Sequence, residues 1–219
     1  MSYNIAIDGP AGAGKSTIAK AVAAKLGFVY VDTGAMYRTI ALYLLRQGTD
    51  CENEAELKAA LENISISISY ENGVQQMILN GENVSSLIRS EEVGTMASIS
   101  SAKPPVRAKL LDLQRELAAS QDVIMDGRDI GTAILPNADL KIYLTASTAA
   151  RAMRRYKELT EKGQECDLAV IEKDMAERDY RDMHREISPL KQAEDAKLVD
   201  SSDMTIEEVI DTIAGYVNK

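Results

Sequence analysis

The sequence has few of the residues that build metal centres and disulfides. It contains one histidine, His184, and two cysteines, Cys51 and Cys166, which lie 115 positions apart without a Cys-x-x-Cys spacing. A structural zinc site needs a cluster of cysteine and histidine ligands, so this composition excludes one. We also expect no disulfide between two cysteines that are so far apart in the chain.

Long apolar runs and an excess of positive charge are missing too. No run approaches the roughly 20 apolar residues of a membrane-spanning helix, and the start of the chain has neither a basic region nor an apolar signal segment. We therefore expect a soluble protein of the cytoplasm. Lysine and arginine number 25 against 34 aspartate and glutamate residues, which gives a net charge of −9. A nucleic-acid polymer is not expected as a ligand, because its phosphates require a basic face.

The strongest motif is a glycine-rich stretch, Gly9-Pro10-Ala11-Gly12-Ala13-Gly14-Lys15-Ser16-Thr17, which fits the phosphate-loop pattern. It follows an apolar strand pattern over Asn4–Asp8 and precedes a helical pattern over Ile18–Leu26. Glycines let backbone N–H groups point at a polyphosphate, and the helix start adds its own unpaired N–H groups. Lys15 supplies a full positive charge, and Ser16 offers a hydroxyl to Mg²⁺. The motif therefore predicts a nucleotide-phosphate site.

Strand and helix patterns alternate along most of the 219 residues, of which 45 % are apolar. This alternation predicts an α/β fold with one sizeable core and a parallel sheet. A second strand over 28–31 leads to a helix from about Gly34 to Gln47, and we predict that Thr33 caps this helix. Arg38 lies in its first turn, where a cation indicates either an anionic ligand or a partner carboxylate.

One segment departs from the alternation. From residue 64 isoleucine and serine alternate with period two, and Asn72-Gly73 follows before a second apolar run over 74–79. This pattern predicts a β-hairpin, with a third short strand around 82–84 after a second Asn-Gly pair, Asn80-Gly81. We interpret the segment as an antiparallel insertion in the α/β core.

Another apolar strand pattern further along the chain ends in a carboxylate. Val123–Asp126 is apolar up to Asp126 and is followed by Gly127-Arg128-Asp129-Ile130-Gly131-Thr132. Ligands of open α/β sheets gather at the carboxyl ends of strands, so we expect Asp126, Arg128 and Asp129 to lie near the phosphate loop. The predicted metal site has Ser16 as the direct Mg²⁺ ligand, with Asp126 acting through water.

Arginines are concentrated in one segment. Residues 151–185 hold six of the twelve arginines in the chain, yet nine basic residues are balanced there by nine acidic ones. Balanced charge excludes a nucleic-acid-binding stripe, and it fits an exposed helical hairpin held by salt bridges. In a phosphate-loop protein, paired helices with arginines also fit a lid that closes over the transferring phosphate. The spacing places Arg178, Arg181, Asp182 and Arg185 on one helical face.

Together these motifs resemble the bacterial cytidylate kinases, which transfer the γ-phosphate of ATP to CMP or dCMP. The resemblance covers essentially the whole chain and rests on four blocks of sequence: 8–17, 32–38, 126–132, and 177–185 before Pro189-Leu190. It implies a P-loop kinase core with a five-stranded parallel sheet flanked by helices, a small antiparallel insertion and a helical lid. The implied boundaries are 1–63, 101–150 and 188–219 for the core, 64–100 for the monophosphate-binding insertion and 151–187 for the lid.

The resemblance also implies roles for individual residues. ATP, with Mg²⁺, would be held by Gly9, Pro10, Ala11, Gly12, Ala13, Gly14, Lys15, Ser16 and Thr17. CMP or dCMP would be held by Thr33, Arg38, Ser98, Arg107, Arg128, Asp129, Arg178, Asp182 and Arg185. The catalytic set would be Lys15, Arg128, Arg151, Arg154 and Arg181. ATP and CMP or dCMP are the expected partners, and the chain is expected to be a monomer.

Other phosphate-loop proteins are the alternatives. A GTP-dependent switch is excluded, because neither Asn-Lys-x-Asp nor Asp-x-x-Gly occurs in the chain. A nucleotide sensor without catalysis would lack the acceptor site, yet Arg38, Arg128 and Asp129 are present. Another small kinase, of the adenylate or shikimate type, shares the loop and the lid and is the alternative that remains.

Overall fold

A computed structural model describes residues 2–217. The chain forms two compact units, one made of the residues up to Tyr30 and from Gln121 onward, the other of Val31–Ser120. In chain order the elements are β1 Asn4–Asp8, α1 Lys15–Leu26, β2 Val29–Asp32, α2 Thr33–Gln47, α3 Glu54–Glu62, β3 Ile66–Glu71, β4 Val74–Leu79, β5 Glu82–Asn83, α4 Glu91–Ser100, α5 Pro104–Ser120, β6 Val123–Gly127, a π-helical turn Ile130–Ile134, β7 Leu140–Thr145, α6 Thr148–Glu161, α7 Leu168–His184, β8 Lys197–Asp200 and α8 Ile206–Gly215.

The main sheet has five strands in the order β2-β6-β1-β7-β8. β1 pairs in parallel with β6 and β7, and β7 pairs in parallel with β8. The predicted α/β fold with a five-stranded parallel sheet is therefore confirmed. Since β1 lies in the middle, the loop that follows it starts at the centre of the carboxyl edge, where ligands of such sheets bind.

The core of the first unit explains why these segments are strands and helices. Ile5 and Ile7 of β1 are fully buried and pack with Ile18 and Val22 of α1 and with Ile213 of α8. A strand buried on both faces reads as an apolar run, whereas the two helices bury one face each. The start of α8 carries a capping box, in which Thr205 and Glu208 bond each other's backbone N–H groups.

The second unit contains the predicted antiparallel patch. β3, β4 and β5 form a three-stranded sheet in that order, and both pairings are antiparallel. The Asn-Gly turns at 72–73 and 80–81 have positive φ at all four residues, as tight hairpin turns require. The third strand is shorter than expected and covers only Glu82–Asn83.

Two predictions about helix ends were wrong. α2 begins at Thr33 and is capped by Asp32, whose carboxylate accepts from the Ala35 N–H at 2.8 Å. A carboxylate also complements the positive end of the helix dipole, which a threonine hydroxyl does not. α7 ends at His184, and Arg185 has extended backbone, so Arg185 does not belong to the helical face predicted for it.

Candidate active site

The phosphate loop joins β1 to α1 at the centre of the main sheet. Gly12 and Gly14 have φ values of +73° and +82°, which non-glycine residues rarely adopt. Gly9 is required for another reason: a Cβ at this position would lie 1.9 Å from the Leu144 carbonyl oxygen of β7. Gly14 caps α1, which begins at Lys15, so the first N–H groups of the helix face the loop as the motif predicts.

Lys15 is buried at the end of this loop. Its Nζ donates a hydrogen bond to the Pro10 carbonyl oxygen at 2.7 Å. Burial lowers the pKa of Lys15 well below its usual value, and the charge of Arg128 lowers it further, while Asp126 and Asp8 act in the opposite direction. The ammonium group is therefore poorly solvated and is able to gain much from an anion.

Asp126, at the end of β6, lies beside the start of α1. Its Oδ2 accepts from Ser16 Oγ at 2.8 Å, and its Oδ1 accepts from the Tyr30 hydroxyl at 2.8 Å. Within residues 2–217 no group of three or more His, Cys, Asp or Glu side chains could hold a metal. A hydroxyl next to one carboxylate nevertheless fits Mg²⁺, which takes few protein oxygens and keeps water and phosphate as its other ligands.

Asp8, the last residue of β1, holds the loop that follows β6. Its two carboxylate oxygens accept from the N–H groups of Ile130 and Gly131 at 2.7 and 2.8 Å. These N–H groups lie at the start of the π-helical turn, directly after Arg128 and Asp129. Asp8 therefore fixes the backbone that carries the two predicted monophosphate-binding residues of this loop.

Asp8 also makes the stability of the protein depend on pH. Burial raises the pKa of Asp8 to about 6, although the N–H groups of Gly131 and Ile130 favour the charged form. A carboxyl group with a raised pKa stabilises the fold fully below its unfolded pKa of about 3.9, and this contribution is lost as the pH rises through 6. A shift of two units corresponds to about 3 kcal/mol.

We expect the Asp8→Asn variant to lack this dependence. The free energy of unfolding of the wild type minus that of Asp8→Asn, measured by urea titration, should fall by roughly 2 kcal/mol between pH 4 and pH 7. The matched control is Asp203→Asn, which removes one carboxylate at an exposed position and gives the baseline for the comparison. A constant difference for Asp8→Asn would show that its carboxyl group titrates normally.

Two ion pairs connect the loop after β6 to the end of α7. Arg128 Nε donates to Asp182 Oδ2 at 2.9 Å, and Arg185 Nη2 donates to Asp129 Oδ1 at 3.0 Å. All four side chains are at most 20 % exposed. The structure thus joins four of the residues predicted to bind CMP in two pairs, each of one carboxylate and one guanidinium group.

The remaining arginines of the 151–185 segment have different environments. Arg151 is buried and bonds the Ala146 and Ala11 carbonyl oxygens, whereas Arg154 bonds Ser201 near β8. Arg178 is half-buried on α7, and Arg181 is exposed. α6 and α7 pack against each other, so the predicted helix pair is present.

In the second unit, several predicted residues gather around the start of α2. The Asp32 carboxylate pairs with Arg38 at 3.2 Å and with Arg89 at 3.3 Å. Thr33, the first residue of α2, is buried. Two guanidinium groups share one carboxylate, which leaves a net positive charge at a helix N-terminus. Such an arrangement suits a phosphate group.

Ser98 lies on α4 and Arg107 lies on α5, both in the second unit. Ser98 is half-buried near the end of α4, and its carbonyl oxygen accepts from the Ser101 hydroxyl. Arg107, in the first turns of α5, donates to the Ser101 carbonyl oxygen at 3.3 Å and lies 5.7 Å from the centre of the Tyr37 ring. Each unit thus holds its own group of predicted residues.

Sequence reasoning missed three charged residues: Asp8, Arg89, and Asp179, which is buried on α7 and pairs with Arg151 at 2.7 Å. Asp8 ends a buried strand in the way that Asp126 does, and this signal could have identified it. Asp179 is three residues before Asp182, so the same helical spacing that selected the arginines also selects Asp179. Arg89 gives no local signal, because its partner Asp32 is 57 residues away in the chain.

His184 closes α7. Its ring stacks on Tyr180, with 4.0 Å between the ring centres, and Nδ1 lies 2.8 Å from the Tyr180 carbonyl oxygen. Both side chains are exposed. The imidazole therefore contacts its own helix and not the phosphate loop.

Among residues 2–217, no helix is long and apolar enough to cross a membrane. A sequence model of the family described as "Cytidylate kinase" matches residues 5–219. The cytidylate kinase of Ligilactobacillus salivarius is 47% identical over 215 residues, which cover 98% of this chain and 96% of the relative. The cytidylate kinase of Bacillus cytotoxicus is 48% identical over 216 residues, which cover 99% and 96% of the two chains.

Some solved structures resemble the chain distantly. A shikimate kinase from Acinetobacter baumannii, in complex with shikimate, is 16% identical with a TM-score of 0.45, and the match covers 100% of this chain and 97% of that one. A likeness at this level is too weak to distinguish one activity from another.

Proposed function

We propose how the residues of this chain share the work of phosphoryl transfer, from the premise that the chain belongs to the cytidylate kinase family. It is an ATP-dependent phosphotransferase that moves the γ-phosphate of ATP to CMP or dCMP and gives CDP or dCDP. The adenylate or shikimate alternative is not favoured, since relatives of known name at 47% and 48% identity over nearly the whole chain are cytidylate kinases.

The observation that best supports the ATP site is the hydrogen bond from Ser16 Oγ to Asp126 Oδ2, which places Asp126 beside the phosphate loop. We propose that residues 9–17 bind the phosphates of ATP through the backbone N–H groups of the loop and the start of α1. Ser16 would hold Mg²⁺, and Asp126 would orient the water around it. When bound, Mg²⁺ neutralises charge on the phosphate oxygens.

The transfer itself needs positioning and charge neutralisation more than covalent chemistry. The acceptor is a phosphate oxygen that is already ionised near neutral pH, so no histidine is required as a general base. We propose that Lys15 donates hydrogen bonds to the oxygens of the transferring group, where negative charge develops. Arg128, Arg151, Arg154 and Arg181 would add positive charge around the same group.

For the acceptor, we propose that Thr33 and Arg38 bind the monophosphate group. The Arg38 guanidinium group is already oriented by Asp32, so little rotamer entropy is lost on binding. We propose that Ser98 and Arg107 contact the cytosine base, together with Asp129, and that Arg128, Arg178, Asp182 and Arg185 bind the rest of the nucleotide.

The helix pair over 151–187 is proposed as the lid. Its ion pairs to Arg128 and Asp129 run through Asp182 and Arg185, which supports a role in shielding the phosphates from water. The antiparallel insertion over 64–100 is proposed to belong to the acceptor side. A monomer and a location in the cytoplasm remain predictions from the sequence.

The function is tested by measuring ADP release with a panel of monophosphates. With ATP and Mg²⁺ we expect kcat/KM to be largest for CMP and dCMP, because a site that hydrogen-bonds one base rejects analogues that leave its polar groups unpaired. AMP and shikimate serve as controls. Faster phosphorylation of either control than of CMP would contradict the proposal.

A further inference from the structure

Ala11, in the middle of the phosphate loop, is held at both of its backbone polar groups. Its N–H donates to Asp179 Oδ1 at 3.3 Å, and its carbonyl oxygen accepts from Arg151 Nη1 at 2.8 Å. Asp179 lies on α7 and Arg151 on α6. A loop residue has no neighbouring strand to pair with, so these two side chains supply the partners that its backbone requires.

The two side chains also bond each other. Arg151 Nη2 lies 2.7 Å from Asp179 Oδ2, and the side chains are 4% and 10% exposed. The contacts form a closed ring from the Ala11 N–H through Asp179 and Arg151 back to the Ala11 carbonyl oxygen. Arg151 is fixed further by the Ala146 carbonyl oxygen and the Thr148 hydroxyl.

The next residue shows how tightly the two helices cover the loop. A Cβ at Gly12 would lie 3.1 Å from Met175 Cε of α7 and 3.4 Å from Arg151 Cβ of α6. The loop therefore has direct packing contact with both helices, in addition to the polar ring at Ala11.

A buried ion pair is a poor source of stability, because the cost of removing two charges from water often exceeds their attraction. Its value lies in fixing a geometry when every donor and acceptor has a partner. Here the geometry that it fixes is the path of the phosphate loop. A loop that is ordered before ATP arrives loses less entropy on binding.

We propose that Asp179 is a positioning residue for ATP: acting through Arg151 and the Ala11 backbone, it holds the phosphate loop in the shape that binds the nucleotide. The inference rests on the proposed function, since it assumes that this loop binds ATP. It gives the lid a role on the donor side, through Asp179, besides the acceptor-side ion pairs of Asp182 and Arg185 on the same stretch of chain.

The test compares variants of Asp179 in the full chain. Asp179→Ala leaves the Ala11 N–H and Arg151 without their buried partner, so we expect the KM for ATP and the Kd of ATP, measured by calorimetry without CMP, to rise roughly tenfold or more. The KM for CMP should change less than about twofold. Asp179→Asn keeps an acceptor for the Ala11 N–H and should lose less ATP affinity. Asp174→Asn, at an exposed position of α7, is the matched control and should behave as wild type.

A second variant separates positioning from direct contact. Because Asp179 and Arg151 both hold Ala11 and bond each other, Arg151→Met combined with Asp179→Ala should weaken ATP binding by less than the sum of the two single effects. Additive losses, or an unchanged ATP affinity in Asp179→Ala, would overturn the proposal. Equal losses for ATP and CMP would do so as well, and Asp179→Asn decides the matter if the alanine variant does not fold.

The proposed function can fail separately. If wild-type protein binds ATP and does not phosphorylate CMP, the acceptor assignment is wrong, yet the effect of Asp179 on the Kd of ATP is still measured. If wild-type protein phosphorylates CMP and Asp179→Ala binds ATP normally, only the positioning role is wrong.

Discussion

Replacing Lys15 with alanine should lower the turnover number for CMP at least ~100-fold, the cost of removing one main stabiliser of developing charge. In the structure the Lys15 ammonium is buried and its hydrogen-bond partner is the Pro10 carbonyl oxygen. An ammonium group with so little solvent interacts strongly with phosphate oxygens, because the effective dielectric constant around it is low. Steady-state ADP release at saturating ATP and CMP measures the effect.

His184→Ala is the control for this experiment. The imidazole stacks on Tyr180 at the end of α7, and the acceptor phosphate needs no general base. Most of the activity should therefore remain. Near-normal turnover in Lys15→Ala would contradict the proposed charge stabilisation, and a large loss in His184→Ala would indicate proton transfer that the mechanism lacks.

The second large effect concerns the choice of base. Asp129 is buried and accepts a hydrogen bond from Arg185. Cytosine presents an amino group where uracil presents a carbonyl oxygen, and a carboxylate accepts from the first and repels the second. If Asp129 contacts the base, Asp129→Ala should reduce the ratio of kcat/KM for CMP to that for UMP by roughly 5- to 150-fold.

An orienting role for Asp129 predicts a different result. In the structure Asp129 pairs with Arg185, and Arg128 pairs with Asp182. A purely orienting Asp129 would weaken CMP and UMP together and leave their ratio intact. Asp182→Asn is the matched variant, since it removes the charge that holds Arg128 and should lower both rates without changing the ratio.

Local patterns were enough to predict most of the fold. Periodicity predicted the strands of the main sheet and the helices around it, and the Asn72-Gly73 pair predicted the hairpin turn. Each of these features depends on residues that are close in sequence. The helix that starts after Asn53 follows from the same kind of signal, since the Asn53 side chain accepts from the Glu56 N–H. The loop motif likewise predicted the conformation of Gly12 and Gly14.

Most individual ion pairs and hydrogen bonds between distant segments could not be predicted. Arg89 and Arg38 meet on Asp32, and Asp8 reaches Ile130 across more than a hundred residues. Such pairs depend on how the strands order themselves in the sheet, which no local pattern encodes. For the same reason the sequence gives no sign that Arg151 is buried, since an arginine on an amphipathic helix reads as exposed until its partner Asp179 is known.

The stacking of His184 on Tyr180 makes the chain convenient for spectroscopy. It has a single histidine, so its carbon-bound imidazole protons form one set of NMR resonances that needs no assignment. At 4.0 Å from the tyrosine ring, these protons experience a strong ring current and change frequency when the last turn of α7 rearranges. Arg185, the next residue, bonds Asp129. One-dimensional spectra of unlabelled protein therefore follow that end of the helix while nucleotide is added.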